Sequence, residues 1–93
     1  MRAIKNKNNK LLITNYEGID EQEIFIDIFN ILKNNSAIYI GKKIIGPSED
    51  IYKCKFINEE FILVYDIGYG VFINSSSEVI IEKLQEILNS TNR

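Results

Sequence analysis

The sequence predicts an α+β domain, an antiparallel sheet of four to five strands with two helices packed on one face. Two segments carry isoleucine and leucine at helical spacing directly behind a capping signal, and the stretch between them switches to a period of two. No linker, repeat or change of composition divides the chain, so residues 1–93 read as a single domain. At this length a chain buries roughly 60–65% of its unfolded surface on folding, enough for one core.

The first ten residues, MRAIKNKNNK, carry four positive charges and no acid. They read as a solvated end or a ragged edge hairpin turning at Asn8-Asn9. Lys10 to Tyr16, KLLITNY, has the β-branched and apolar content of a strand. In GIDEQEIFIDIFNILKNN, Asp20 caps a helix over about 21–34, with Glu23 placed for a capping box and Ile19 and Ile24 for a hydrophobic staple. Ile24, Ile28, Ile31, Phe25 and Leu32 form its apolar face, while Gln22, Glu23, Asp27, Asn30 and Lys33 take the other side. Phe29 falls at the edge of the apolar arc and Ile26 beyond it.

From Ser36 the period is two. AIYIGKKII reads as a strand and Gly46-Pro47-Ser48-Glu49-Asp50 as a turn. In IYKCKFI, Tyr52, Cys54 and Phe56 share one face and Lys53 and Lys55 the other, as expected of a strand with one face in water. FILVY is apolar on both faces, the mark of a central strand, and its neighbour is the segment beginning at Val71. Ser75-Ser76-Ser77-Glu78 then caps a second helix with Ile80, Ile81, Leu84, Ile87 and Leu88 as its apolar stripe, ended by Asn89 and Ser90.

Composition excludes several functions. The net charge of −2 does not suit a dedicated polyanion binder, although a local basic patch is compatible with it. No apolar run reaches the roughly 18 residues of a membrane span, none has the shape of a signal peptide, and the lone Cys54 has no partner for an internal disulfide. A cytoplasmic protein is the expectation. The chain has no histidine, and its acids do not follow calcium-loop spacing, so no metal or other cofactor is expected. Cys54 lies among aromatic neighbours on its strand face and reads as an inert buried thiol. Without histidine, catalysis would rest on a carboxylate, lysine or tyrosine with a shifted pKa. Glu49-Asp50 and Glu59-Glu60 are turn pairs that do not resemble an acid/base dyad, so the chain is not expected to be an enzyme.

YDIGYGVFI, residues 65–73, resembles a glycine-rich ligand loop at first sight. A phosphate loop must run into a helix N-terminus, however, and Gly70 runs into a strand. The glycines therefore read as a turn or bulge that leaves Tyr65, Asp66 and Tyr69 near a sheet end within reach of a partner. Lys42, Lys43, Lys53 and Lys55, with Tyr39 and Tyr52 nearby, suggest a basic sheet for nucleic acid. Alternation separates Tyr52 from Lys53 and Lys55, so nucleic acid is not the favoured partner. The strongest surface signal is acidic: Glu78, Glu82 and Glu86 repeat along the second helix with only Lys83 to offset them, and Glu17, Asp20, Glu21, Glu23 and Asp27 make a second cluster. Such a surface steers toward a basic partner.

The region GKKIIGPSEDIYKCKFINEEFILVYDIGYGVFINSS and the capped helix after it resemble small immunity proteins of bacterial toxin–immunity systems, including those of contact-dependent growth inhibition. The resemblance covers the last 55 or so residues through the turn at Gly46-Pro47, the Tyr-Asp before the glycines and the final acidic helix. It implies a non-catalytic protein that binds and occludes a cognate toxin C-terminal domain, a basic nuclease. On that reading Tyr69 is the anchor, Asp66 the charge near the toxin's cationic site, and Glu78, Glu82 and Glu86 the steering groups. The rivals are a nucleic-acid binder and a homodimer formed through Ile26 and Phe29 or through a strand edge.

Overall fold

The computed structural model describes residues 2–14 and 18–91. Tyr16 and Glu17, expected at a strand end and in an acidic cluster, lie outside the described residues. The elements are β1 (Arg2–Lys5), β2 (Lys10–Thr14), α1 (Glu21–Lys33), β3 (Ile38–Ile45), β4 (Glu49–Phe56), β5 (Glu59–Asp66), β6 (Gly70–Asn74) and α2 (Glu78–Thr91). The strands form one antiparallel sheet in the order β1-β2-β6-β5-β4-β3. The α+β expectation holds, and the sheet has six strands rather than four to five.

The additional strand comes from the asparagine-rich start. The Asn6 carboxamide oxygen accepts from the backbone N–H groups of Asn8 and Lys10 at 2.9 and 3.0 Å, and Asn9 takes the left-handed conformation with φ of 57°. These side-chain bonds close the edge hairpin at Asn8-Asn9, the second of the two readings of this segment, rather than leaving a solvated end. β2 then pairs with β6, the strand pairing of longest sequence separation in the sheet.

Both helices cover one face. Ile24, Ile28 and Leu32 from α1 and Ile80, Ile81, Leu84 and Leu88 from α2 share a single buried cluster with Ala3, Leu11, Cys54, Phe61, Leu63 and Ile73 of the sheet. Burying each of the leucines and isoleucines stabilises by about 1.5–3 kcal/mol. The Asp20 carboxylate accepts from the Gln22 N–H at 2.8 Å and starts α1. Phe25 stacks on Tyr65 with ring centroids 5.2 Å apart, and Phe29 meets the edge of Tyr52 at 5.4 Å. That aromatic cluster draws Phe29 inward, while Ile26 remains half exposed.

The start of α2 is fastened to the sheet by its serines. The Ser75 hydroxyl donates to the Glu60 carbonyl at 2.8 Å and accepts from the Ser77 N–H at 3.1 Å, and the Ser77 hydroxyl accepts from the Ile80 N–H at 3.4 Å. Asn89 does not end the helix as expected. Its carboxamide instead accepts from the Ala3 N–H at 2.9 Å and donates to the Ala3 carbonyl at 3.0 Å, with Gln85 donating to the same carbonyl at 3.2 Å. The outward N–H and carbonyl of Ala3 in edge strand β1 are thereby satisfied by α2.

Candidate partner-binding tip

One end of the sheet gathers the most exposed apolar groups among the described residues, and a set of acids. The β5–β6 turn, Ile67-Gly68-Tyr69, is held by Asp66, whose Oδ1 accepts from the N–H groups of Gly68 and Tyr69 at 2.7 and 2.9 Å. The Ile67 N–H donates to the Ser48 carbonyl at 2.9 Å, which ties this turn to the β3–β4 turn beside it. Gly70 has φ of 76°, and a Cβ there would lie 2.9 Å from Oε2 of Glu21 at the start of α1. The positive φ favours glycine, and a Cβ there would also displace the Glu21 carboxylate. The glycine-flanked sequence thus makes a fixed turn rather than a ligand loop.

From this turn Ile67 and Tyr69 project into solvent at 82% and 88% exposure. Asp20, Glu21 and Glu23 stand at the start of α1, while Glu49 lies directly opposite Asp66 in the β4–β5 register. Like charges so placed repel, which disfavours the sheet end on its own and favours a cation brought to it. Asp50 faces away from that pair and meets Lys43 at 3.6 Å. Two grooves flank the turn. One, about 330 Å³, lies between Ile67, Pro47, Asp50 and Gln22; the other, about 570 Å³, lies between Tyr69, Asp66, Glu49, Leu12 and Phe72.

The expected site residues therefore divide into two places. Asp66 and Tyr69 share the tip, although Asp66 also performs a local duty as the cap of its own turn. Glu78, Glu82 and Glu86 lie on α2, whose opening turn is at the opposite end of the sheet. Glu78 and Glu82 reach Lys5 of β1 at 2.6 and 3.2 Å, so Lys83 is not the only cation that offsets the acidic stripe. Lys5 holds the Glu78 carboxyl below its ordinary range, and the two glutamates raise the lysine. Lys83 turns toward the Phe56 ring, 5.8 Å from its centroid. Ile67 and Glu49 join the tip without having been expected there. An isoleucine set between Asp66 and a glycine was the available signal for Ile67; Glu49 needed the strand register.

The basic surface also divides. Between Ile40 and Lys43 the β3–β4 register shifts, and Gly41 and Lys42 together stand against Lys53. A Cβ at Gly41 would lie 2.7 Å from the Lys53 carbonyl, so glycine permits the bulge. Beyond it Lys43 pairs with Tyr52 on the helix side, away from Lys53 and Lys55. Cys54 is buried, and burial pushes its thiol up to about 11. Among the described residues no three metal-type side chains gather, and no helix is long and apolar enough to cross a membrane. No family model matches the chain, no curated protein matches its sequence, and no solved structure matches it.

Proposed function

We propose that this chain is a non-catalytic immunity protein of the cytoplasm that binds and occludes a cognate toxin domain, a basic nuclease, through the tip of its sheet. The observation that carries this reading is the pair Ile67 and Tyr69, almost fully exposed on a hydrogen-bonded turn and surrounded by carboxylates. An apolar anchor on a fixed turn loses little conformational entropy when buried by a partner. Central aromatic anchors commonly supply most of an interface's affinity, and charges around them set encounter rate and specificity. A cover of about 800 Å² per partner would be enough to close an active site. Glu49 and Asp66, which have no salt bridge among the described residues, suit a lysine- or arginine-lined cleft of the kind that holds a nucleic-acid backbone.

Nucleic acid itself is the weaker reading, because the β3 bulge removes Lys43 from the face that carries Lys53 and Lys55. The test begins with affinity capture from cells that express the neighbouring genes. A stoichiometric basic domain should be recovered, should arrest growth when expressed alone, and should lose its nuclease activity with an equimolar amount of this chain. Tyr69→Ala should weaken the complex by about 30-fold or more, as for an anchor residue. Recovery of no such domain would defeat the immunity reading. A complex insensitive to both Tyr69→Ala and Ile67→Ala would keep the function but move it away from the tip.

A further inference from the structure

The sheet face opposite the helices carries an unbroken apolar row across all six strands. Cross-strand pairing joins Ile4 to Leu12, Leu12 to Phe72, Phe72 to Val64, Val64 to Ile51 and Ile51 to Ile44. A face meant only for water would alternate to polar groups here. Val64 is shielded by its neighbours and Lys10 lies over the Phe72 ring at 4.6 Å, but Ile4, Leu12 and Ile44 are each about 40% exposed. The charges on either side of the row differ in sign. Lys10 and Lys53 border it on one side, in one register line through Asn74 and Ile62; Asp66 and Glu49 border it on the other, where Arg2 opposite Thr14 is the one cation among the described residues, at the β1 end away from them.

We infer that this face binds a second copy of the chain, with the two-fold axis running along the apolar row. Rotation about that axis lays row on row and brings the positive border of each copy onto the negative border of the other. Lys53 of each protomer then meets Glu49 of its partner. A two-fold axis along the strands would instead bring Lys10 against Lys53 twice, and like charges so placed are unfavourable. Charge thus selects the first arrangement among the face-to-face pairings that superpose the rows. Six strands about 4.8 Å apart and three residue lines about 7 Å apart give a patch of about 600 Å² per protomer. That is at the low end of specific interfaces, so the dimer should dissociate at about 10–100 μM. The two tips point to opposite ends of such a dimer, but Glu49, Asp66 and the groove they line with Leu12 and Phe72 lie at the dimer contact, so the dimer and a partner seated in that groove exclude each other. The inference does not rest on the proposed function.

Sedimentation equilibrium over about 1–500 μM tests it. Self-association should appear in the upper part of that range, and Leu12→Lys should abolish it. Should that variant fail to fold, Ile44→Lys at the far end of the row reads the same contact. Lys53→Glu and Glu49→Lys should each weaken the dimer by about tenfold, and the double variant should recover to within about threefold of wild type. The two residues are four apart on one strand, about 13 Å, too far to pair within a chain, so recovery reports a contact between copies. A monomer throughout the range, self-association indifferent to the row variants, or a double variant no better than the singles would each overturn the inference.

Discussion

At Gly70 one residue meets two demands, a left-handed backbone and a carboxylate from another element within 3 Å of its missing side chain. Gly70→Ala should therefore cost about 1–3 kcal/mol in urea unfolding. Gly68→Ala, where no positive φ is required and the nearest atom belongs to Asp66 at 3.4 Å, should be close to neutral. Asp66→Ala removes the acceptor for two turn N–H groups and should cost about 1–2 kcal/mol. Tyr69→Ala, by contrast, should leave stability within about 0.5 kcal/mol and act on partner affinity alone. Separating those two responses distinguishes the residue that shapes the tip from the one that would bind through it. Cys54, with its thiol raised to about 11, should alkylate at pH 8 at least 100-fold more slowly than an ordinary thiol and become reactive on unfolding. Its inertness was legible in the sequence, since its neighbours on alternate positions are aromatic. Glu21's contact with Gly70 was not, because the two are far apart along the chain and meet only when α1 docks.

At the scale of elements, the sheet protects its two edges differently. β1 is closed by the Asn89 carboxamide, which presents a donor and an acceptor to Ala3 as a neighbouring strand would. Asn89→Leu should cost about 1–3 kcal/mol by leaving those backbone groups unpaired, and hydrogen exchange should accelerate first in β1. β3 relies on a bulge and on Lys42 and Lys43, which discourage another strand from pairing there. Lys5 links β1 to the first turns of α2, with a pH dependence of known sign. The folded state lowers the Glu78 pKa below its ordinary 4.5, so this carboxylate's contribution is present above that value and fades as pH falls through the lowered one. Lys5 is raised above its ordinary 10.5, so its contribution is present below that value and is lost as pH rises through the raised one. The stability difference between wild type and Glu78→Gln, small because the pair is exposed, should shrink as urea unfolding is repeated from pH 6 down to pH 3. The caps, the apolar helix stripes and the strand alternation were readable because each depends on residues within one turn or one strand. Asn89 was read as a helix stop because its use as a strand substitute depends on a segment 86 residues away.

For the molecule as a whole, charge is distributed rather than concentrated. With Lys5 already engaging Glu78 and Glu82, replacing all three α2 glutamates by glutamine should slow partner association by less than about threefold at low salt. Replacing Glu23, Glu49 and Asp20 at the tip should slow it more and flatten its salt dependence, measured by stopped flow. The opposite order would place the steering surface on α2 and weaken the assignment to the tip. The sequence by itself determined the α+β class, the two helices and their buried stripes, the polarity of β4, and the turn that exposes Tyr69. Capping, periodicity and glycine chemistry act over a few residues, so they are written locally. Only the tertiary structure decided between a solvated end and an edge hairpin at Asn8-Asn9, and it alone decided the β2–β6 closure, the bulge that separates the lysines, the parting of Asp66 and Tyr69 from the α2 glutamates, and the apolar row. Each depends on register between strands or on a helix docking against a distant strand, and a one-residue change of register would send every one of those side chains to the other face.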